Sequence, residues 1–171
     1  KALEYYTNTL PLCEQTRNQE NLAFTYHNLG SVHKAMGNSA KALEYSFKAL
    51  DLRLQLNDMP GIIFTYHNIG TVYKDQGNYE KALEYFFNSL KLEGETGNKQ
   101  GMAASYHNIG ILYKTQGNFE KAFEHFKNSL AIKNEIGDKR GIANSFHELG
   151  SLYQLQHDSV KAAEYLERAR K

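Results

Sequence analysis

The sequence predicts an all-α fold, a solenoid of stacked antiparallel helix pairs, and three observations carry that prediction. The chain repeats itself at a period of 40 residues. Each period holds two stretches whose apolar residues fall at helical spacing. Glycine–asparagine steps separate most of these stretches, and no alternating, strand-like pattern occurs.

The repeat is visible in columns. Gly30, Gly70, Gly110 and Gly150 form one; Tyr26, Tyr66, Tyr106 and Phe146 another; Ala42, Ala82, Ala122 and Ala162 a third. Residues 61–100 and 101–140 are identical at 22 of 40 positions. Self-similarity at a fixed period of about 20–50 residues marks stacked supersecondary units that bury a continuous core between neighbours.

Taken in order, residues 1–17 read as the lone second helix of a pair, because KALEYYTNTL aligns with KALEYFFNSL from Lys81. The array is therefore expected to begin in mid-repeat. Pro11 lies inside this helix and is expected to kink or shorten it. Full repeats follow at 21–56, 61–96, 101–136 and 141–170, making one array over 1–171. In the second, helix A runs from Gly61 to Gln76 with Ile62, Ile63, Tyr66, Ile69, Val72 and Tyr73 on its apolar stripe. Gly77-Asn78 interrupts, since glycine accepts the left-handed helix end and asparagine caps the next helix. Helix B then runs from Tyr79 to about Thr96, ended by Gly97-Asn98. The fourth repeat has His157-Asp158 at its turn and no polar capping helix after it, so both ends are expected to continue.

Composition excludes several classes. A formal net charge of +1 gives no global case for nucleic acid. No apolar run approaches the roughly 20 residues of a membrane span. The single cysteine, Cys13, cannot form an internal disulfide, and a cytoplasmic setting is expected. It reads as a packing residue. No nucleophile elbow, phosphate-cradling loop or paired-carboxylate signature is present, so no enzymatic activity and no cofactor are expected.

The chain resembles the tetratricopeptide repeat family. Its helix-A signature of aromatic, aliphatic-glycine, aromatic stands here as Tyr66, Ile69-Gly70, Tyr73 and again as Tyr106, Ile109-Gly110, Tyr113. The small–aromatic–small signature of helix B stands as Ala82, Phe86, Ser89 and Ala122, Phe126, Ser129. His33 departs from it in helix A, and Ser46 and Leu166 depart in helix B. The 40-residue period is similar to the longer variety found in kinesin light chains, spindle-orientation adaptors and bacterial signalling proteins. The resemblance implies a right-handed superhelix whose A helices line a concave groove.

A second pattern is interleaved with the packing letters. His67, Thr71 and Lys74 are spaced i, i+4, i+7 and share one stripe, with Asn68 beside it. The stripe recurs as His27, Asn28, Lys34, as His107, Asn108, Lys114, and as His147 with Glu148. In the family these positions line the groove, and the asparagine position matches one that in some members bonds the backbone of an extended peptide. An amide offers both donors and an acceptor, so it can hold a peptide bond whatever the side chains. The bland alternative is that recent duplication alone keeps these letters alike.

The resemblance implies a protein–protein interaction module holding an extended or short helical peptide, as scaffold or adaptor. The alternative is a regulatory or sensory segment of a larger signalling protein that binds a peptide signal or a neighbouring domain. The lysines and histidines favour an acidic or C-terminal-carboxylate partner, and exposed repeat faces make self-association through the ends an expectation. Ligand-touching histidines would make affinity vary between about pH 5.5 and 7.5. Metal binding by the histidine column is excluded, because helices packed about 8–10 Å apart cannot bring four imidazoles to one ion. The Glu and Lys of EKALEY and EKAFEH read as a solvated outer face.

Overall fold

A computed structural model describes residues 1–16 and 18–170. The described residues form nine helices and no strand: α1 (Ala2–Thr16), α2 (Gln19–Ala35), α3 (Ser39–Gln55), α4 (Met59–Asp75), α5 (Tyr79–Thr96), α6 (Lys99–Thr115), α7 (Phe119–Ile136), α8 (Lys139–Leu155) and α9 (Ser159–Arg168). Two compact units, Lys1–Ser89 and Leu90–Lys171, divide the chain within α5. In the first, α1 packs on α2, α2 on α3 and α3 on α4; in the second, α6 packs on α7, α7 on α8 and α8 on α9. No described helix is long and apolar enough to cross a membrane.

The turns follow one rule. Left-handed residues stand at Gly37, Asn57, Gly77, Gly97, Gly117, Gly137 and His157. The residue after each starts the next helix; Asn38, Asp58, Asn98, Asn118, Asp138 and Asp158 all cap by side chain. At Gly37 the chain closes α2 with Gly37 N–H on the Lys34 carbonyl and Asn38 N–H on that of His33, both at 2.9 Å. Asn57 and His157, with φ of 53° and 61°, serve the same purpose without glycine.

Of the kink or shortening expected at Pro11, the shortening does not occur: helix α1 runs on through it to Thr16. The ring removes one N–H from the ladder, and the burial of Cys13 against α2 holds the last turn in place.

Each helix pair locks by a knob in a notch. A Cβ placed on Gly110 would stand 2.7 Å from the Phe126 ring, so only glycine lets that fully buried ring seat against α6. Phe86 meets Gly70 and Leu166 meets Gly150 in the same manner. In the first full repeat Ser46 takes the knob position against Gly30, and its buried hydroxyl finds no hydrogen-bond partner. A second lock sets helix-A rings against helix-B rings: Tyr73 stacks on Tyr85 at 5.7 Å and Tyr113 on His125 at 5.3 Å, and Tyr153 meets Tyr165 tilted at 5.3 Å. His33, which departs from the aromatic pattern, still stacks on Tyr45 at 5.5 Å.

The helix-B lysines are more than a solvated face. Lys81, Lys121 and Lys161 lie 5.1, 5.1 and 5.3 Å over the rings of Tyr73, Tyr113 and Tyr153. Each adds a cation–π contact at an exposed site.

Candidate functional site

The stripe predicted from the sequence lies on helices α2, α4, α6 and α8, and the same letters meet different surroundings on each. In the first unit Asn28 is half-buried and donates Nδ2 to the Phe24 carbonyl at 2.8 Å, within its own helix. Asn68 is buried, accepting from Lys34 Nζ at 2.9 Å and donating to Ser31 Oγ at 3.1 Å. Those bonds tie α2 to α4. The Thr71 hydroxyl returns to the His67 carbonyl at 2.8 Å. Lys74 is half-buried and bonds no described residue.

The histidines also differ. His27 is buried, its Nε2 3.5 Å from Ser31 Oγ and its ring 4.6 Å from that of Phe64. Burial, with Arg53 and Lys34 nearby, pushes its pKa down to about 4. It therefore stays neutral across the pH range in which an ordinary histidine would sense a ligand. His67 and His107 are half-buried, each ring 5.6 Å from the phenylalanine knob of its own pair, Phe86 and Phe126. His147 is exposed.

In the second unit the charged members of the stripe are paired. Lys114 Nζ reaches Glu148 Oε2 at 2.5 Å and Ser151 Oγ at 3.4 Å, bridging α6 to α8. Asn108 is different from its counterparts. Half-buried, it makes no hydrogen bond with any described residue, and it lines a cavity of about 410 Å³ between α6 and α8. Across the same cavity stands Asn144, exposed and likewise unbonded among the described residues. Lys133, near the end of α7, forms part of the lining, with Arg140 and Asp138 at the start of α8.

Lys133 belongs to a column that the sequence reading did not single out. Cys13, Arg53, Glu93 and Lys133 recur every 40 residues near the ends of the B helices, and all four are buried. Twelve residues on stands a hydroxyl. Cys13 Sγ lies 3.6 Å from Thr25 Oγ1, Arg53 donates Nη1 to Thr65 Oγ1 at 2.5 Å, and Lys133 donates Nζ to Ser145 Oγ at 3.0 Å. Eight residues after each long charged member stands a glycine, and a Cβ on Gly141 would come within 2.9 Å of Lys133 Cδ. After Cys13, which is short, position 21 is asparagine. A polar residue recurring where a B helix should be apolar, with a hydroxyl and a glycine at fixed distances, was the available signal.

Helix pairs repeated at 40 residues, locked by aromatic knobs in glycine notches, define a class of interaction scaffold, and the comparisons place the chain within it. The tetratricopeptide repeat model matches residues 1–55, 61–135 and 101–171, so the chain belongs to the tetratricopeptide repeat family. No curated protein matches by sequence. BtubC (BKLC) from P. vanneervenii shares the fold with a TM-score of 0.87 at 22% identity, over 96% of this chain and 69% of that one. A Rap protein complexed with competence and sporulation factor matches with a TM-score of 0.82 at 20% identity, over 98% of this chain and 47% of that one. A STAND protein with a tetratricopeptide repeat sensor, PH0952 from Pyrococcus horikoshii, matches with a TM-score of 0.84 at 22% identity, over 96% of this chain and 26% of that one.

Proposed function

We propose that the chain is a protein–protein interaction module and that the A-helix face of its second unit binds an extended peptide segment of a partner. The observation that carries this reading is the pair of unbonded amides, Asn108 and Asn144, facing one cavity. Each can offer donors and an acceptor to a peptide backbone without displacing a bond already made. Asn28 and Asn68 are poorer candidates, because both are engaged within the protein. A Rap protein of the same fold is complexed with competence and sporulation factor, which supports ligand binding by such arrays in general.

The test is a peptide selected from a random display library against the unaltered chain. The double variant Asn108→Ala, Asn144→Ala should weaken that peptide about 10- to 100-fold, the loss of two net hydrogen bonds, with the melting temperature unchanged. Undiminished binding of every selected peptide overturns the assignment of the site.

A regulatory role in a larger signalling protein is the second reading, favoured by the likeness to a STAND protein whose repeats are a sensor. Its discriminator is whether a bound peptide changes the activity of an output domain carried on the same polypeptide.

A further inference from the structure

A second cavity in the second unit lies at the other end of α8, and its lining is of another chemistry. It holds about 250 Å³ and stands where the first turns of α7 meet the last turns of α8. Phe119, Phe123 and Tyr153, all half-buried, line it with rings, and Leu152 is buried beside them. Glu120 and Gln156, both exposed, complete the lining. The rings of Phe123 and Tyr153 meet edge to face, 5.5 Å apart at 77°, and so form a corner. From Gly141 in the first cavity to Tyr153 in this one, α8 advances twelve residues, about 18 Å.

The fold does not require such a lining. Eighty residues earlier, where α3 packs on α4, the same positions hold Ser39, Ala40, Leu43, Val72, Tyr73 and Gln76. Two rings and the carboxylate are missing there. Phe123 is also the one ring in its column, which otherwise holds Leu43, Leu83 and Ala163. Glu120 is the one charged residue among those that line the cavity, and it forms no ion pair with any described residue. The Gln156 side chain likewise bonds no described residue. Two of the rings already draw cations: Lys127 Nζ lies 5.5 Å from the centre of Phe123, and Lys161 Nζ 5.3 Å from that of Tyr153. Neither lysine belongs to the lining, and Lys161 is held by Asp158 at 3.3 Å.

A cation suited to this cavity must lie against rings, shed water easily and reach two acceptors at the rim. An ammonium is compact and strongly hydrated, whereas a guanidinium is planar, more weakly hydrated and stacks on aromatic faces. Its fork of N–H donors fits a carboxylate, and a further N–H is left for an amide oxygen. We propose that the cavity receives an arginine side chain of a partner protein, its guanidinium against Phe119, Phe123 and Tyr153 and bonded to the Glu120 carboxylate and the Gln156 amide oxygen. This site is separate from the one facing Asn108 and Asn144, and either stands or falls without the other.

The probes are the N-acetyl amides of arginine, lysine, citrulline and phenylalanine, titrated into the isotope-labelled chain at matched ionic strength. Citrulline keeps the shape of arginine without its charge, and phenylalanine tests for simple apolar filling. Arginine should move the amide signals of Phe123, Tyr153 and Gln156 saturably and leave those of Gly141 and Asn144 in place. The other three should bind more weakly, citrulline by about fivefold or more. Two variants borrow the residues of the first full repeat, Glu120→Ala after Ala40 and Phe123→Leu after Leu43. Each should weaken the arginine probe about three- to tenfold. On the unaltered chain, the absence of a saturable shift overturns the proposal, and so does any other probe binding as tightly as arginine. Undiminished binding of arginine by both variants, with their melting temperatures retained, overturns it as well.

Discussion

Three asparagines written identically in the sequence end in three different situations, and the difference lies in what the neighbouring helix offers each. Asn68 finds Lys34 and Ser31, Asn28 finds only its own helix, and Asn108 finds an open cavity. The stripe itself was legible from spacing; its engagement was not, because partners 34 and 37 residues away depend on how two helices abut. Lys133 was less legible still. A lysine near a helix end reads as solvated, and only the packing of α7 under α8 buries it. Ser46 is the converse case, a departure noticed in the sequence whose cost appears only in the fold. Its hydroxyl is fully buried without a partner, so Ser46→Ala should stabilise the chain by about 1 kcal/mol in chemical denaturation. A measured loss would mean the hydroxyl is bonded after all.

The helices were the most legible level. The segment expected over Tyr79 to about Thr96 is α5 as found, and the one expected to start at Gly61 starts two residues earlier, at Met59. The early start follows from Asp58, which caps α4 by accepting the Gly61 N–H at 3.0 Å. The Asn57-Asp58 turn escaped notice because it lacks the glycine that announces most of the others. Two substitutions measure how firmly these elements are specified. Gly110→Ala should cost about 1–3 kcal/mol, since the new methyl meets the Phe126 ring at 2.7 Å in a filled core. His157→Gly should gain up to about 1 kcal/mol by relieving a left-handed residue at φ 61°. Thermal melts of both variants against the unaltered chain read the two signs directly.

At the scale of the whole molecule, protonation links the interior to the solvent. His27 has a folded pKa of about 4 against about 6.5 unfolded, so between those values the unfolded chain binds more protons than the folded one. Its contribution is fully present above pH 6.5 and is lost as the pH falls toward 4, about 3 kcal/mol in all. Denaturation midpoints from pH 7.5 to 4 should therefore fall, and His27→Phe should flatten that fall. An identical slope in the variant would remove His27 from the account. The buried column of Cys13, Arg53, Glu93 and Lys133 has a consequence of another kind, for inheritance. Genes of near-identical repeats lose and gain units by unequal recombination. A crossover between the turn after Arg53 and that after Glu93 would delete 40 residues and set the guanidinium before Asn98 in place of Asp58. The shortened protein would carry the buried guanidinium of Arg53 without its carboxylate neighbour. Units that look interchangeable on the surface therefore differ within, each buried member matched to the turn that follows it.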